Sequence, residues 1–136
     1  MPELIELEIA TPERQMVRES VTEVQIPGKD GYLGILAGHA PLLGQLGTGL
    51  LSYSADGRRR YLSVHGGFVE VLPDRVRVLA NLAERAEEID VERARRAFER
   101  SQAELLNPNI GIDPAAALGA LLRAQARIEA AEKSSV

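Results

Sequence analysis

The hydrophobic period of this chain changes once, from two to about 3.6, and that break constrains the fold more than any other feature. Up to about residue 80, apolar and polar residues alternate. Ile5, Leu7 and Ile9 are interleaved with Glu6 and Glu8, and Thr22, Val24 and Ile26 with Glu23 and Gln25. Successive side chains of a strand point to opposite faces, so this pattern buries one face and wets the other. The segments 50–54 and 61–64 flank Asp56-Gly57, a hairpin-turn pair, and the segments 68–72 and 76–79 flank Pro73-Asp74. Short alternating segments with turn signals at roughly eight- to twelve-residue spacing predict an antiparallel β-sandwich or barrel.

Beyond residue 88 the spacing is helical. In EEIDVERARRAFERSQAELLN, Val91, Ala94, Phe98 and Leu105 fall three, four and seven residues apart. Asp90 stands where an N-cap belongs, and Glu92 lies in the electropositive first turn. Asn107-Pro108-Asn109-Ile110-Gly111 ends this helix. Asp113-Pro114 then opens a second, with Asp as cap and Pro at the first position. Its expected stripe runs through Leu118, Leu121, Leu122, Gln125 and Ile128 to about Lys133, and the tail Ser134-Ser135-Val136 is expected to fray. The predicted class is α+β: an N-terminal antiparallel β-sandwich or barrel over 1–84, then a C-terminal α-helical hairpin over 85–136.

Alanine makes up much of the helical stripe, and apolar burial yields only about 25 cal/mol per Å². The hairpin is therefore expected to hold its sandwich weakly. Its Ala, Glu, Arg and Leu content nonetheless keeps each helix stable as a helix. Aromatics are 4% of the 136 residues and Trp is absent, so the core must be aliphatic.

Charge and composition remove several functions. The absence of cysteine excludes a disulfide scaffold, a thiolate metal site and a Cys nucleophile. A net charge of -4 argues against a nucleic-acid binder. Arg58-Arg59-Arg60 follows the Asp56-Gly57 turn and reads as a solvated strand end. The start, MPELIELEIA, lacks the basic and apolar parts of a signal peptide, and no run of about 18 apolar residues is present. Membrane association is thus expected only through a partner.

Residues 27–49, PGKDGYLGILAGHAPLLGQLGTG, hold seven of the twelve glycines. Neither GxxxxGK[ST] nor GxGxxG is among them, so a phosphate-cradling loop is excluded. They read as turn and bulge positions that need positive φ. No catalytic set assembles: His39 and His65 have glycine neighbours and no adjacent carboxylate motif, which favours turn or packing roles.

One constellation could bind an anion. Arg93 and Arg100 lie seven apart on one face of the first helix, and Arg123 and Arg127 four apart on the second. Antiparallel folding of the hairpin would gather these four guanidiniums, whose planar forks suit polyphosphate. Glu84 or Asp90 would accept from an exocyclic amine of a base. Alternatively these are solvated helix charges, in ion pairs such as Glu92–Arg96 and Glu129–Lys133.

GYLGILAGHAPLLGQLGTG, followed by the hairpin and by GGFVEV at 66–71, resembles the epsilon subunit of bacterial F-type ATP synthases, over nearly the whole chain. The resemblance implies a non-catalytic rotor subunit at the cytoplasmic face of the bacterial inner membrane. Its sandwich would sit at the foot of the gamma shaft, on the membrane ring of proton-carrying subunits. Lys29-Asp30-Gly31-Tyr32 matches the ring contact, with Tyr32 where members often carry an acid, and the surface around His39 matches the side facing gamma. In this family the hairpin either lies on the sandwich or extends along gamma into the alpha/beta catalytic head and obstructs ATP hydrolysis. Some members bind ATP in the folded-down form through Ile/Leu-Asp-x-x-Arg-Ala, which Ile89-Asp90-Val91-Glu92-Arg93-Ala94 matches. Glu84 matches an upstream acid, and Arg100, Arg123 and Arg127 match further basic positions. No cofactor is required, and ATP is the expected regulatory ligand. The rival expectation is a free-standing β-sandwich adaptor or ligand-binding module with permanently packed helices.

Overall fold

The computed structural model describes residues 3–135. Met1 and Pro2 of the acidic N-terminal segment, and Val136 of the tail expected to fray, lie outside the described residues. Seven strands form one sheet: β1 (Ile5–Ala10), β2 (Gln15–Val21), β3 (Glu23–Gly28), β4 (Gly31–Ile35), β5 (Leu42–Ala55), β6 (Arg58–Leu72) and β7 (Arg75–Arg85). Their order is β2-β1-β7-β6-β5-β3-β4. The sheet coils until β2 meets β5, and the inner faces of both halves enclose one core. That core is aliphatic, as the composition requires: Ile5, Leu7, Ile9, Ile26, Leu51, Leu62 and Val64 are buried, with Tyr53 the only aromatic among them.

The antiparallel expectation fails at one pair. β1 runs parallel to β7, with Glu6 opposite Arg75 and Ile9 opposite Val78. Alternation reports which face of a strand is buried and carries no information about direction, so this pairing was invisible in the pattern. The β5–β6 turn is as read: Asp56 and Gly57 have φ of 52° and 75°, which the two-residue hairpin turn demands.

The glycine-rich stretch differs from expectation. Only Gly31 and Gly38 of its seven glycines have positive φ. Elsewhere space decides. A Cβ on Gly49 would lie 2.7 Å from the Tyr32 hydroxyl and 2.9 Å from Pro27 Cβ, so a side chain there would evict the tyrosine.

A 3₁₀ turn at Ala86–Glu88 joins the sheet to α1 (Val91–Leu106) and α2 (Pro114–Ser134). Both caps are as read. Asp90 Oδ1 accepts from the Arg93 N–H at 3.1 Å, and Asp113 Oδ1 from the Ala115 N–H at 3.0 Å, with Pro114 opening α2. Helix α2 lies on β5 and β6, while α1 packs chiefly on α2.

The stripe that α2 buries is not the leucine-rich one. Ala117, Ala124, Ala126 and Ala130 are buried, whereas Leu118 and Leu122 are 48% and 42% exposed. Close approach of a helix to a sheet and to a second helix selects small side chains. Hydropathy ranks Leu above Ala and so chose the wrong face. In α1 the fully buried positions are Ala94 and Ser101, whose hydroxyl donates to the Ala97 carbonyl at 2.8 Å.

Candidate functional site

The end of β7, the 3₁₀ turn and the two helices enclose a cleft of about 380 Å³. Glu84 reaches it from β7, Asp90 from the start of α1, Arg93, Ala94 and Arg100 from α1, and Arg123 and Arg127 from α2. Spacings of seven and four along antiparallel helices thus place four guanidiniums on one concave surface. Ile89 is not part of this lining. It is buried with Ala86 and Ala130 in a small second core beneath the hairpin.

Sequence reasoning missed Glu88, Ala97 and Ala120, which also line the cleft. Ala97 lies four residues from Arg93, and Ala120 three from Arg123, so helical spacing carried a signal for both. Their small side chains leave the space that the arginines surround.

The charges are unequally committed. Arg127 Nε donates to Glu84 Oε1 at 2.5 Å, with both side chains about three-quarters buried, which ties α2 to the end of the sheet. Asp90 is engaged as the α1 cap. Glu88 accepts from the Arg85 N–H at 3.0 Å and from Arg14 Nη2 at 2.8 and 3.0 Å. The Arg85 N–H first, and the Arg14 guanidinium second, hold its carboxyl below the usual range. Among the described residues, Arg93, Arg100 and Arg123 have no carboxylate within 4 Å. Three guanidiniums without a carboxylate partner thus line one hollow, and each has hydrogen-bond donors free for an anion. The expected helix pairs do not form as read: Glu92 pairs with Arg95 at 3.1 Å rather than with Arg96, and Glu129–Lys133 is not within ion-pair distance.

His65 sits on β6 beneath α2. Its Nε2 lies 3.2 Å from Ser63 Oγ, and its Nδ1 has no partner among the described residues. Burial, reinforced by Arg127 and Arg123, pushes the imidazole from 6.5 down to about 4, so it is neutral at pH 7. It packs, as expected. His39 takes the turn role, its Nδ1 2.7 Å from the Ala40 carbonyl and its N–H donating to the Leu36 carbonyl at 3.2 Å.

Lys29 and Asp30 form the β3–β4 turn and Gly31 and Tyr32 open β4, beside Leu42 and Leu43 of β5. The Tyr32 hydroxyl accepts from the Leu50 N–H at 3.1 Å, and its ring borders a small cleft against Leu122, Gln125 and Glu129 of α2. Phe68 and Leu79 face each other across β6 and β7, each about half exposed. No helix among the described residues is long and apolar enough to cross a membrane.

A coiled β-sheet domain carrying an αα-hairpin is the architecture of the delta/epsilon chains of ATP synthase. Residues 4–86 match the family described as ATP synthase, Delta/Epsilon chain, beta-sandwich domain, and residues 87–132 its long alpha-helix domain. The ATP synthase epsilon chain of Solibacter usitatus is 64% identical over 133 residues, covering 98% of this chain and 99% of its own. That of Koribacter versatilis is 50% identical over 105 residues, covering 77% and 74%. A chain in a cryo-EM structure of the Euglena gracilis mitochondrial ATP synthase, OSCP/F1/c-ring, superposes with a TM-score of 0.82 at 27% identity, covering 97% of this chain and 83% of that one. The chain therefore belongs to the ATP synthase delta/epsilon family, as a bacterial epsilon subunit.

Proposed function

We propose that this subunit couples the gamma shaft to the membrane ring and inhibits ATP hydrolysis through its hairpin, with ATP holding the hairpin down. The subunit itself is non-catalytic and peripheral, on the cytoplasmic face of the bacterial inner membrane, and is held there by the complex. The β3–β4 turn and the start of β4, Lys29–Tyr32, meet the ring. The surface around His39, with the exposed Phe68 and Leu79, meets gamma. The extended hairpin enters the catalytic head of alpha and beta subunits.

The observation that carries the ATP-sensing part is the cleft. Its walls come from β7, α1 and α2, so it is complete only while the hairpin lies on the sheet. A polyphosphate held by Arg93, Arg100 and Arg123 binds that state alone. Such a ligand stabilises it by RT ln(1 + [L]/Kd), about 2.7 kcal/mol at a hundredfold excess. A ligand that bound both states equally would shift nothing. Because Glu84 and Asp90 are engaged, base recognition falls to the second oxygen of either carboxylate.

Saturating ATP is expected to protect the hairpin from protease. The Arg93→Ala, Arg127→Ala pair is expected to abolish that protection and to weaken ATP binding in calorimetry. Unchanged protease sensitivity with ATP removes the sensing role. The rival adaptor function predicts no co-purification with gamma, and recovery of a gamma complex excludes it.

A further inference from the structure

A hollow of about 540 Å³ is lined by β2, by Tyr53 of β5, by the start of β6, and by Arg85 and Glu87, the sequence neighbours of Glu84 and Glu88 in the hairpin cleft. Its walls bring Arg18, Arg58, Arg59, Arg60 and Arg85 together with only two carboxylates, Glu19 and Glu87. This concentration of positive charge sits on a chain whose net charge is -4. A hollow with low-dielectric walls focuses such a field on its interior.

The arginine triplet after the turn divides by strand parity. Arg59 faces the outer side and is pinned: its Nη1 donates to Glu23 at 2.7 Å and to Ser54 at 2.9 Å, and its Nη2 to Ser52 at 2.8 Å. Arg58 and Arg60 point the other way, over the open end of the core, where Tyr53 lies opposite Arg60. Among the described residues neither has a carboxylate within 4 Å. Alternate strand residues are about 6.5 Å apart, so two unpaired forks hang side by side over one hollow. Arg85 is committed to the Met16 carbonyl and supplies charge from a fixed position. Tyr53 is 5% exposed on the floor, where burial, and after it the neighbouring Glu19, raise the phenol's pKa to about 12 and keep it neutral.

We propose that this hollow, whose lining shares no residue with the hairpin cleft, is a second anion site that binds a diphosphate group between Arg58 and Arg60. A solvated strand end needs no hollow, no arginine pair without counter-ions and no neutral phenol floor. Two adjacent bidentate donors match two linked phosphates. The rim also includes Ser134 at the end of α2, so an occupant touches the hairpin only while it is folded down.

Pyrophosphate titrated into the full-length subunit, followed by calorimetry and tyrosine fluorescence, tests the site. Two of the three tyrosines, Tyr53 and Tyr61, line it. The Arg93→Ala, Arg127→Ala variant, which removes any binding in the hairpin cleft, is expected to keep the pyrophosphate-induced tyrosine fluorescence change. The Arg58→Gln, Arg60→Gln variant is expected to weaken that binding about tenfold or more while its ATP-dependent protease protection stays unchanged. Running ADP beside pyrophosphate in the Arg93→Ala, Arg127→Ala background identifies the source of the group: matched binding means a nucleoside diphosphate fits, and preference for pyrophosphate means the free anion. Wild-type affinity in Arg58→Gln, Arg60→Gln, or loss of binding only in Arg93→Ala, Arg127→Ala, overturns the proposal. So does the absence of any pyrophosphate binding to the wild type.

Discussion

The sandwich and the hairpin are buried by different chemistry. Inside the sandwich, Ile5, Leu7, Ile9, Leu51 and Val64 are fully enclosed and branched. Beneath the hairpin the buried cluster is small, formed by Ala86, Ile89 and Ala130, beside the buried His65 and one ion pair from Arg127 to Glu84. Each buried CH₂ or CH₃ contributes about 0.8 kcal/mol, so the first interface resists opening far more than the second. One chain thus carries a platform with a large branched core and a hairpin held by a much smaller apolar cluster. Local opening free energies follow such differences in buried apolar contact.

Breaking the platform should have the largest effect. Leu51→Ala is expected to lower the global unfolding free energy by about 2–5 kcal/mol, read by urea denaturation followed by circular dichroism. A loss below about 1 kcal/mol would mean the two regions do not differ as described.

An intermediate effect is expected from overfilling the alanine interface. Ala130 has no exposed surface, and Ala130→Leu should cost about 1–3 kcal/mol. Helix α2 should lift as a unit, with faster amide exchange in both helices and unchanged exchange in β5 and β6. Parallel losses in sheet and hairpin would show that they open together and would erase the contrast.

The smallest effect sharpens the contrast through pH. His65 is neutral under the packed hairpin, with its pKa lowered to about 4, and returns towards 6.5 when α2 lifts and water enters. The lifted state then binds the additional proton. Packing is fully favoured above pH 6.5 and weakens as pH falls from there towards 4. The slope approaches about 1.4 kcal/mol per pH unit where the two states differ by one proton. Arg123 and Arg127 on α2 face the same imidazole and oppose its protonation. Hairpin proteolysis should accelerate between pH 7.5 and 5.5, and His65→Gln should flatten that response. A flat profile in the wild type would count against His65 as its cause.

Much of both regions was legible in the residues. The switch of period located the boundary between sheet and helices. Asp90, Asp113 and Pro114 marked helix starts because capping is local chemistry. Asp56-Gly57 marked a turn because few residues accept positive φ in succession. The cleft was legible to the extent that helical spacing puts Arg93 with Arg100 and Arg123 with Arg127. It was illegible where a partner is distant in sequence: Glu84 with Arg127, Glu88 with Arg14, and Ile89, which went to packing. The second arginine hollow was hidden for the same reason, since β2 and the β5–β6 tip are neighbours only after the sheet coils.

By itself the sequence determined which faces are apolar, where helices begin, which turns are tight and which side chains carry charge. Each of these follows from the covalent neighbourhood of a few residues. Only the tertiary structure decided that β1 lies parallel to β7, that α2 buries alanines and exposes leucines, and which arginines find a carboxylate. Those outcomes depend on how closely backbones from distant segments approach, and on charges brought together across the chain, which no local pattern encodes.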